Sequence, residues 1–152
     1  MCFDTETNSI DALHADLVGF SFSYRAREAF YIPVSKNYEE AKKIIHEFAP
    51  IFEDYGIEKI AHNIKYDLKV LNRYEIRVLG PTFDTMIAQY LINPEARQGM
   101  DFMANYYLNY QAISIEALIG KKGKNQGNMR DVEIDKIKEY AAEDADITLQ
   151  LK

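Results

Sequence analysis

Residues 1–9 read MCFDTETNS, and the run from Cys2 to Glu6 decides the fold. Two apolar residues lead straight into Asp4, and Glu6 follows two positions later. On a β-strand, residues two apart point to the same side. A strand here therefore sets two carboxylates side by side at the start of the chain. Clustered carboxylates repel, and the cluster costs stability unless cations fill the gap.

Working outward, DLVGFSFSY (16–24) and AFYIPV (29–34) read as two strands joined by a turn at RARE (25–28). With the opening stretch they make a three-stranded antiparallel start. In NYEEAKKIIHEFAPIFEDYG (37–56), Ala41, Ile44, Ile45, Phe48, Ile51, Phe52 and Tyr55 keep helical spacing. Asn37 caps that helix with Glu40 three residues on, Gly56 closes it, and Pro50 interrupts it. EKIAHN (58–63) is a short strand and KYDLKVLNRY (65–74) a helix. FDTMIAQYLI (83–92) is a helix stopped by Asn93 and Pro94, with Asp84 as its N-cap. MDFMANYYL (100–108) and SIEALIG (114–120) are further short helices. GKKGKNQGN (120–128) is a lysine- and glycine-rich loop, and EIDKIKEYAAEDADITLQLK (133–152) is the last helix. The fold class is α/β: a mixed sheet, antiparallel in its first three strands, flanked by helices.

The chain has 152 residues, enough for one domain with a sizeable core. Its 47% hydrophobic and 28% charged residues are those of a soluble globular protein, and no apolar run is long enough to span a bilayer. Cys2 is the only cysteine, so no internal disulfide forms and a reducing cytoplasm fits. A net charge of -6 argues against an electrostatic grip on long duplex DNA or an anionic membrane. It leaves room for a small nucleic-acid site in which metal ions bring the positive charge.

Beyond Asp4 and Glu6, Asp67 follows AHNIKY where strand hands over to helix, and Tyr140 and Asp144 lie four apart on one face of the last helix. Hard oxygen ligands of this kind suit Mg²⁺ or Mn²⁺. Two such ions about 4 Å apart are a device for cleaving phosphodiesters. Taken singly, an Asp-x-Glu pair at a strand end or an acidic helix face is more often solvated surface.

The order FDTET (3–7), HNIKYD (62–67) and YAAEDADITLQL (140–151) resembles the three exonuclease motifs of the 3′→5′ proofreading domain of bacterial DNA polymerase I. AFYIPV, FDTM and GKKGKNQ are similar to that family as well, so the resemblance covers essentially the whole chain. It implies a ribonuclease-H-like fold of the four-acidic-residue kind, in the tyrosine-bearing subclass. It further implies two divalent cations, Mg²⁺ or Mn²⁺, on Asp4, Glu6, Asp67 and Asp144, with Tyr140 orienting the attacking water. Thr5, Ile10, Asn63 and Arg97 match substrate-contacting positions: Ile10 where the family usually has a leucine against the terminal base, Asn63 near the terminal nucleotide, Arg97 on the phosphates. His62 stands where glutamine is common and reads as a strand-end residue near the site; Glu143 and Asp146 read as solvent-facing or supporting. Lys121, Lys122 and Lys124 read as a solvated loop, or as a loose electrostatic rim.

On this reading residues 1–152 are an exonuclease domain excised from a larger cytoplasmic bacterial polymerase. The domain is a monomer whose partners are a single-stranded DNA 3′ end and the polymerase domain of the same parent chain, with no membrane partner. The alternatives are a ribonuclease-D-like exoribonuclease and a non-catalytic structural module.

Overall fold

A computed structural model describes residues 1–123 and 125–152. Its sheet has the order β3-β2-β1-β4-β5, with β1 Cys2–Thr7, β2 Leu17–Arg25, β3 Glu28–Pro33, β4 Lys59–Ala61 and β5 Thr82–Asp84. β1 pairs antiparallel with β2, and β2 with β3. β4 runs parallel to β1 and to β5. The anticipated antiparallel start is present. The fifth strand is a correction to the sequence reading, which assigned Phe83 and Asp84 to a helix. Three residues carry no measurable alternation, and only their parallel pairing with β4 defines them as a strand.

Strand alternation sorts β1 between two layers. Phe3 faces a core built with Phe20, Ala41, Ile45, Phe52, Val70 and Leu71. These side chains come from β2, α1 (Tyr38–His46), α2 (Ala49–Phe52) and α3 (Ile64–Arg73). Phe52 meets the Phe3 ring edge-on at 5.2 Å. Asp4 and Glu6 face the opposite side, where α7 (Ile134–Gln150) crosses the sheet.

Local chemistry explains most element ends. Asn37 accepts from the Glu40 backbone N–H at 3.1 Å, while the Glu40 side chain takes the Ser35 hydroxyl. Pro50 sits in the first turn of α2, where its missing N–H is harmless, so it begins a new helix after α1 stops. The second helix ends at Phe52, four residues before the closure expected at Gly56. Lys59, fully buried, draws the chain out of the helix by donating to the backbone carbonyls of Asp54 and Leu79.

Asp84 caps two helices. It accepts from the Met86 and Ile87 N–H groups at the start of α4 (Thr85–Ile92), and from Asn63 and Ile64 at the start of α3. Helix α4 has its polarity reversed: Thr85 and Gln89 are buried, while Ile87, Tyr90, Leu91 and Ile92 are exposed. The remaining helices are α5 (Met100–Leu108), α6 (Ile115–Ile119) and α7, with a 3-10 turn at Met129–Asp131. Among the described residues no helix is long and apolar enough to cross a membrane. Lys124 of the anticipated lysine rim lies outside the described residues.

Candidate active site

β1 and β4 pair only at the start of β1, through Cys2 and Ile60. Beyond that point the two strands part, and the Thr5 N–H has no neighbour strand to bond. Asp67, one turn into α3, takes it: Oδ1 accepts from the Thr5 N–H at 3.1 Å and from the Thr5 hydroxyl at 2.6 Å. The notch lies where β1 has an antiparallel neighbour on one side and a parallel one on the other. Crevices beyond the carboxyl ends of strands at such switch points are where open α/β sheets hold ligands.

The notch opens into a cavity of about 700 Å³. Asp4, Thr5, Glu6, Ile10, Asn63, Asp67, Tyr140 and Asp144 all line it. Carboxylate oxygens of Asp4, Glu6 and Asp144 lie within 4.8 Å of one another. Asp67 stands beside that group, one oxygen already engaged by Thr5. Arg97 is outside the lining, exposed on the segment that follows α4. Ile10 is 91% exposed, an apolar side chain held out at the rim.

Burial pushes the Asp4 carboxyl up to about 7. Glu6 is held well above the usual carboxylate range by burial and then by the charges of Asp4, Asp144 and Asp67. Asp67 is raised by burial and by Asp4, against the lowering pull of the Thr5 hydrogen bonds. Asp144 is raised by burial and by Asp4, with the Tyr140 hydroxyl opposing. The Tyr140 phenol is driven above its ordinary value by burial and then by Asp144, Glu6 and Asp4, so it keeps its proton. His62 binds the Thr85 hydroxyl through Nδ1 at 2.9 Å, and burial lowers its pKa, which favours the neutral ring.

Buried polar atoms normally find partners. Among the described residues six buried side-chain atoms have none, and four of these line this one cavity: Glu6 Oε1, Asp144 Oδ1, Asn63 Oδ1 and His62 Nε2. Mutually repelling carboxylates with unspent oxygens are what a hard divalent cation would satisfy, so the donor set fits Mg²⁺ or Mn²⁺.

The remaining wall escaped the sequence reading. Tyr66 shares its hydroxyl between Thr7 Oγ1 and the Ser9 carbonyl, each at 2.5 Å, and so anchors the loop carrying Ile10. Its place beside Asp67 in HNIKYD was the available signal. Ile115, Ile119 and the stretch Gln126–Met129 complete the wall. They come from a short helix and a loop whose local sequence carries no sign of where the chain returns.

A second cavity, of about 630 Å³, flanks α7 on its other side. Two of its three acidic residues, Glu143 and Asp146, accept hydrogen bonds within the protein, and the third, Glu139, pairs with Lys138. Glu143 accepts from the Tyr110 hydroxyl and the Ile113 N–H, both at 2.6 Å. Asp146 accepts from the Arg27 N–H at 2.6 Å. Glu143 thus fixes the connection between α5 and α6, a structural task the sequence reading did not assign.

The profile of a 3′-5′ exonuclease family matches residues 1–152. DNA polymerase I of Borreliella burgdorferi is 38% identical over 151 residues, a match covering 97% of this chain and 16% of that protein. DNA polymerase I of Pseudomonas aeruginosa is 36% identical over 160 residues, covering 99% of this chain and 17% of the relative. The chain therefore spans about a sixth of the length of these relatives. Among solved structures, Brucella melitensis NrnC with bound Mg²⁺ superposes with a TM-score of 0.78 at 24% identity, covering 99% of this chain and 68% of that one. That likeness concerns the fold, a ribonuclease-H-like mixed sheet.

Proposed function

This chain belongs to the 3′-5′ exonuclease family found in DNA polymerase I, and from that premise we propose that it removes nucleotides one at a time from single-stranded DNA 3′ ends. The products are nucleoside 5′-monophosphates. Residues 1–152 act as the proofreading domain of a longer polymerase chain, as a monomeric unit beside its polymerase domain. The observation that carries this reading is the trio Asp4, Glu6 and Asp144, with oxygens within 4.8 Å and, among the described residues, an unpartnered oxygen on two of them.

In this reading Asp4, Glu6, Asp67 and Asp144 hold two divalent cations, Mg²⁺ or Mn²⁺. Bound there, such ions supply Lewis acidity for water activation and for charge on the scissile phosphate. The chain's own residues do the positioning. Thr5 locks one Asp67 oxygen and so sets the direction of the other. Tyr140, protonated throughout the physiological range, orients the water through its hydroxyl, one helical turn from Asp144. Ile10 offers an apolar edge to the terminal base. Asn63 sits in the left-handed region at φ 63° with an amide oxygen that has no partner among the described residues, which suits a polar contact to the terminal nucleotide. Arg97 reaches the phosphates from outside the cavity. With a net charge of -6 the protein has little other attraction for a polyanion, so substrate binding itself depends on the cations.

The test is digestion of matched single-stranded DNA and RNA oligonucleotides labelled at the 5′ end, with Mn²⁺ and with chelator. Stepwise shortening of DNA from its 3′ end, in Mn²⁺ alone, is expected. Faster shortening of RNA identifies an exoribonuclease, since the 2′-OH is the chemical difference. No shortening of either leaves a structural module.

A further inference from the structure

Gly19 stands directly opposite Glu6 in the β1–β2 ladder, and the Tyr31 ring lies over it. A Cβ on residue 19 would fall 2.2 Å from the Tyr31 hydroxyl oxygen and 2.4 Å from the ring carbon that bears it. The phenol therefore fills the space left by the missing side chain. Opposed residues of antiparallel strands hold their Cβ atoms about 4.5–5.5 Å apart on one face. The Tyr31 hydroxyl thus occupies the place of Glu6's nearest cross-strand carbon, on the side of the sheet toward α7. Tyr31 reaches it diagonally from β3. Its own partner is Ser21, which in turn faces Asp4. Its ring packs in the small cluster of Val18, Ile137 and Tyr140, beside the trio of carboxylates.

That hydroxyl is poorly employed. Among the described residues it bonds only the Val18 carbonyl, at 3.5 Å, the long limit for such a bond. Its neighbour Glu6 buries Oε1 with no partner among those residues. Burial, and next the charge of Glu6, hold the Tyr31 phenol above the usual tyrosine range, so it remains a donor.

We propose that Tyr31 is a positioning residue for the carboxylate cluster: its hydroxyl, which in this structure reaches only the Val18 carbonyl, turns to donate to Glu6 when a cation loads the cluster and so fixes which oxygen of that carboxylate turns toward Asp4 and Asp144. Gly19 belongs to the same device through the side chain it lacks. This rests on reading Glu6 as a cation ligand. Groups that orient a ligating side chain typically contribute about 10- to 100-fold to metal affinity.

The experiment is a Mn²⁺ titration of wild type, Tyr31→Phe, Gly19→Ala and the double variant, followed by paramagnetic resonance of free Mn²⁺, with thermal melting in chelator alongside. Tyr31→Phe should bind Mn²⁺ about tenfold more weakly and melt in chelator close to wild type. Gly19→Ala should push the ring aside and show a similar loss, with little further loss in the double variant, because both changes remove one contact. Tyr31→Phe with wild-type Mn²⁺ affinity overturns the proposal, as does a lowered melting point with unchanged affinity. A wild-type protein that takes up no Mn²⁺ overturns the underlying reading of the cluster, a result distinguishable from either.

Discussion

Helix α7 separates two cavities of similar size, about 700 Å³ and about 630 Å³, and sends carboxylates into both. On one side Asp144 joins Asp4 and Glu6, with oxygens left unbonded among the described residues. On the other, Glu143 and Asp146 accept hydrogen bonds from Tyr110, Ile113 and Arg27. Adjacent residues of one helix thus take opposite roles. Acidity in a cavity is therefore no guide to chemistry by itself. What separates the two sides is whether the carboxylate oxygens are spent on the protein's own donors.

The comparison breaks first at Asp144. Asp144→Ala should lower Mg²⁺-dependent digestion of single-stranded DNA by on the order of 10³-fold or more, the scale of losing one essential group. Circular dichroism should stay that of the wild type. A folded variant with wild-type rates would remove the distinction between the two sides. Next is Tyr140→Phe. It should slow single-turnover cleavage by on the order of 10²-fold while Mn²⁺ affinity stays near wild type, because the hydroxyl is assigned to water rather than to the ion. The reverse pattern, weak Mn²⁺ binding at a normal rate, would make Tyr140 a metal-site residue instead.

Glu143→Ala probes the other cavity. It frees the Ile113 N–H and the Tyr110 hydroxyl, and should cost about 1–2 kcal/mol of stability, since these are charge-assisted bonds at a half-exposed site. Mn²⁺ affinity and cleavage rate per folded molecule should not change. A parallel loss of affinity would show the two sides to be one site.

The smallest effect has the opposite sign. Asp4 has a folded pKa of about 7 against 3.8 in the unfolded chain. Between those values the folded state binds more protons, so this group's contribution to metal-free stability falls as pH rises from about 3.8 to about 7 and is recovered on acidification. Asp4→Asn removes the charge at constant shape. In chelator at neutral pH it should melt at or slightly above the wild type, and divalent ions should raise its melting point less. A clearly lower melting point in chelator would mean that Asp4 is held by structural hydrogen bonds rather than strained by the burial of its charge.

The long elements were legible because their patterns repeat. β2 and β3, the helix over residues 65–74 and the last helix all carry enough turns or alternations to fix their type. The carboxylates were legible through spacing within elements: Asp4 with Glu6, Tyr140 with Asp144. Convergence between elements was carried by the motif resemblance, not by local pattern. β5 was missed because three residues hold no period and its pairing is long-range. The early end of α2 was missed because buried Lys59 captures the Asp54 carbonyl from outside the segment. The reversed polarity of α4 was also illegible, since helical spacing does not say which face points inward. The loop wall from Gln126 to Met129 depends on where the chain returns, which no local pattern encodes.

Asp84 has a consequence for how the molecule breathes. One carboxylate holds the first N–H groups of α3 and α4 together. Unravelling the start of either helix removes donors from the carboxylate that also holds the other start. The first amides of the two helices should therefore exchange at one common rate, as a single cooperative unit despite the twenty residues between them, and separate exchange rates would show the two starts to open independently. Asp67 rides on α3, one turn from that shared anchor. Asp67 should then leave the notch with that joint opening rather than with the fraying of a ten-residue helix.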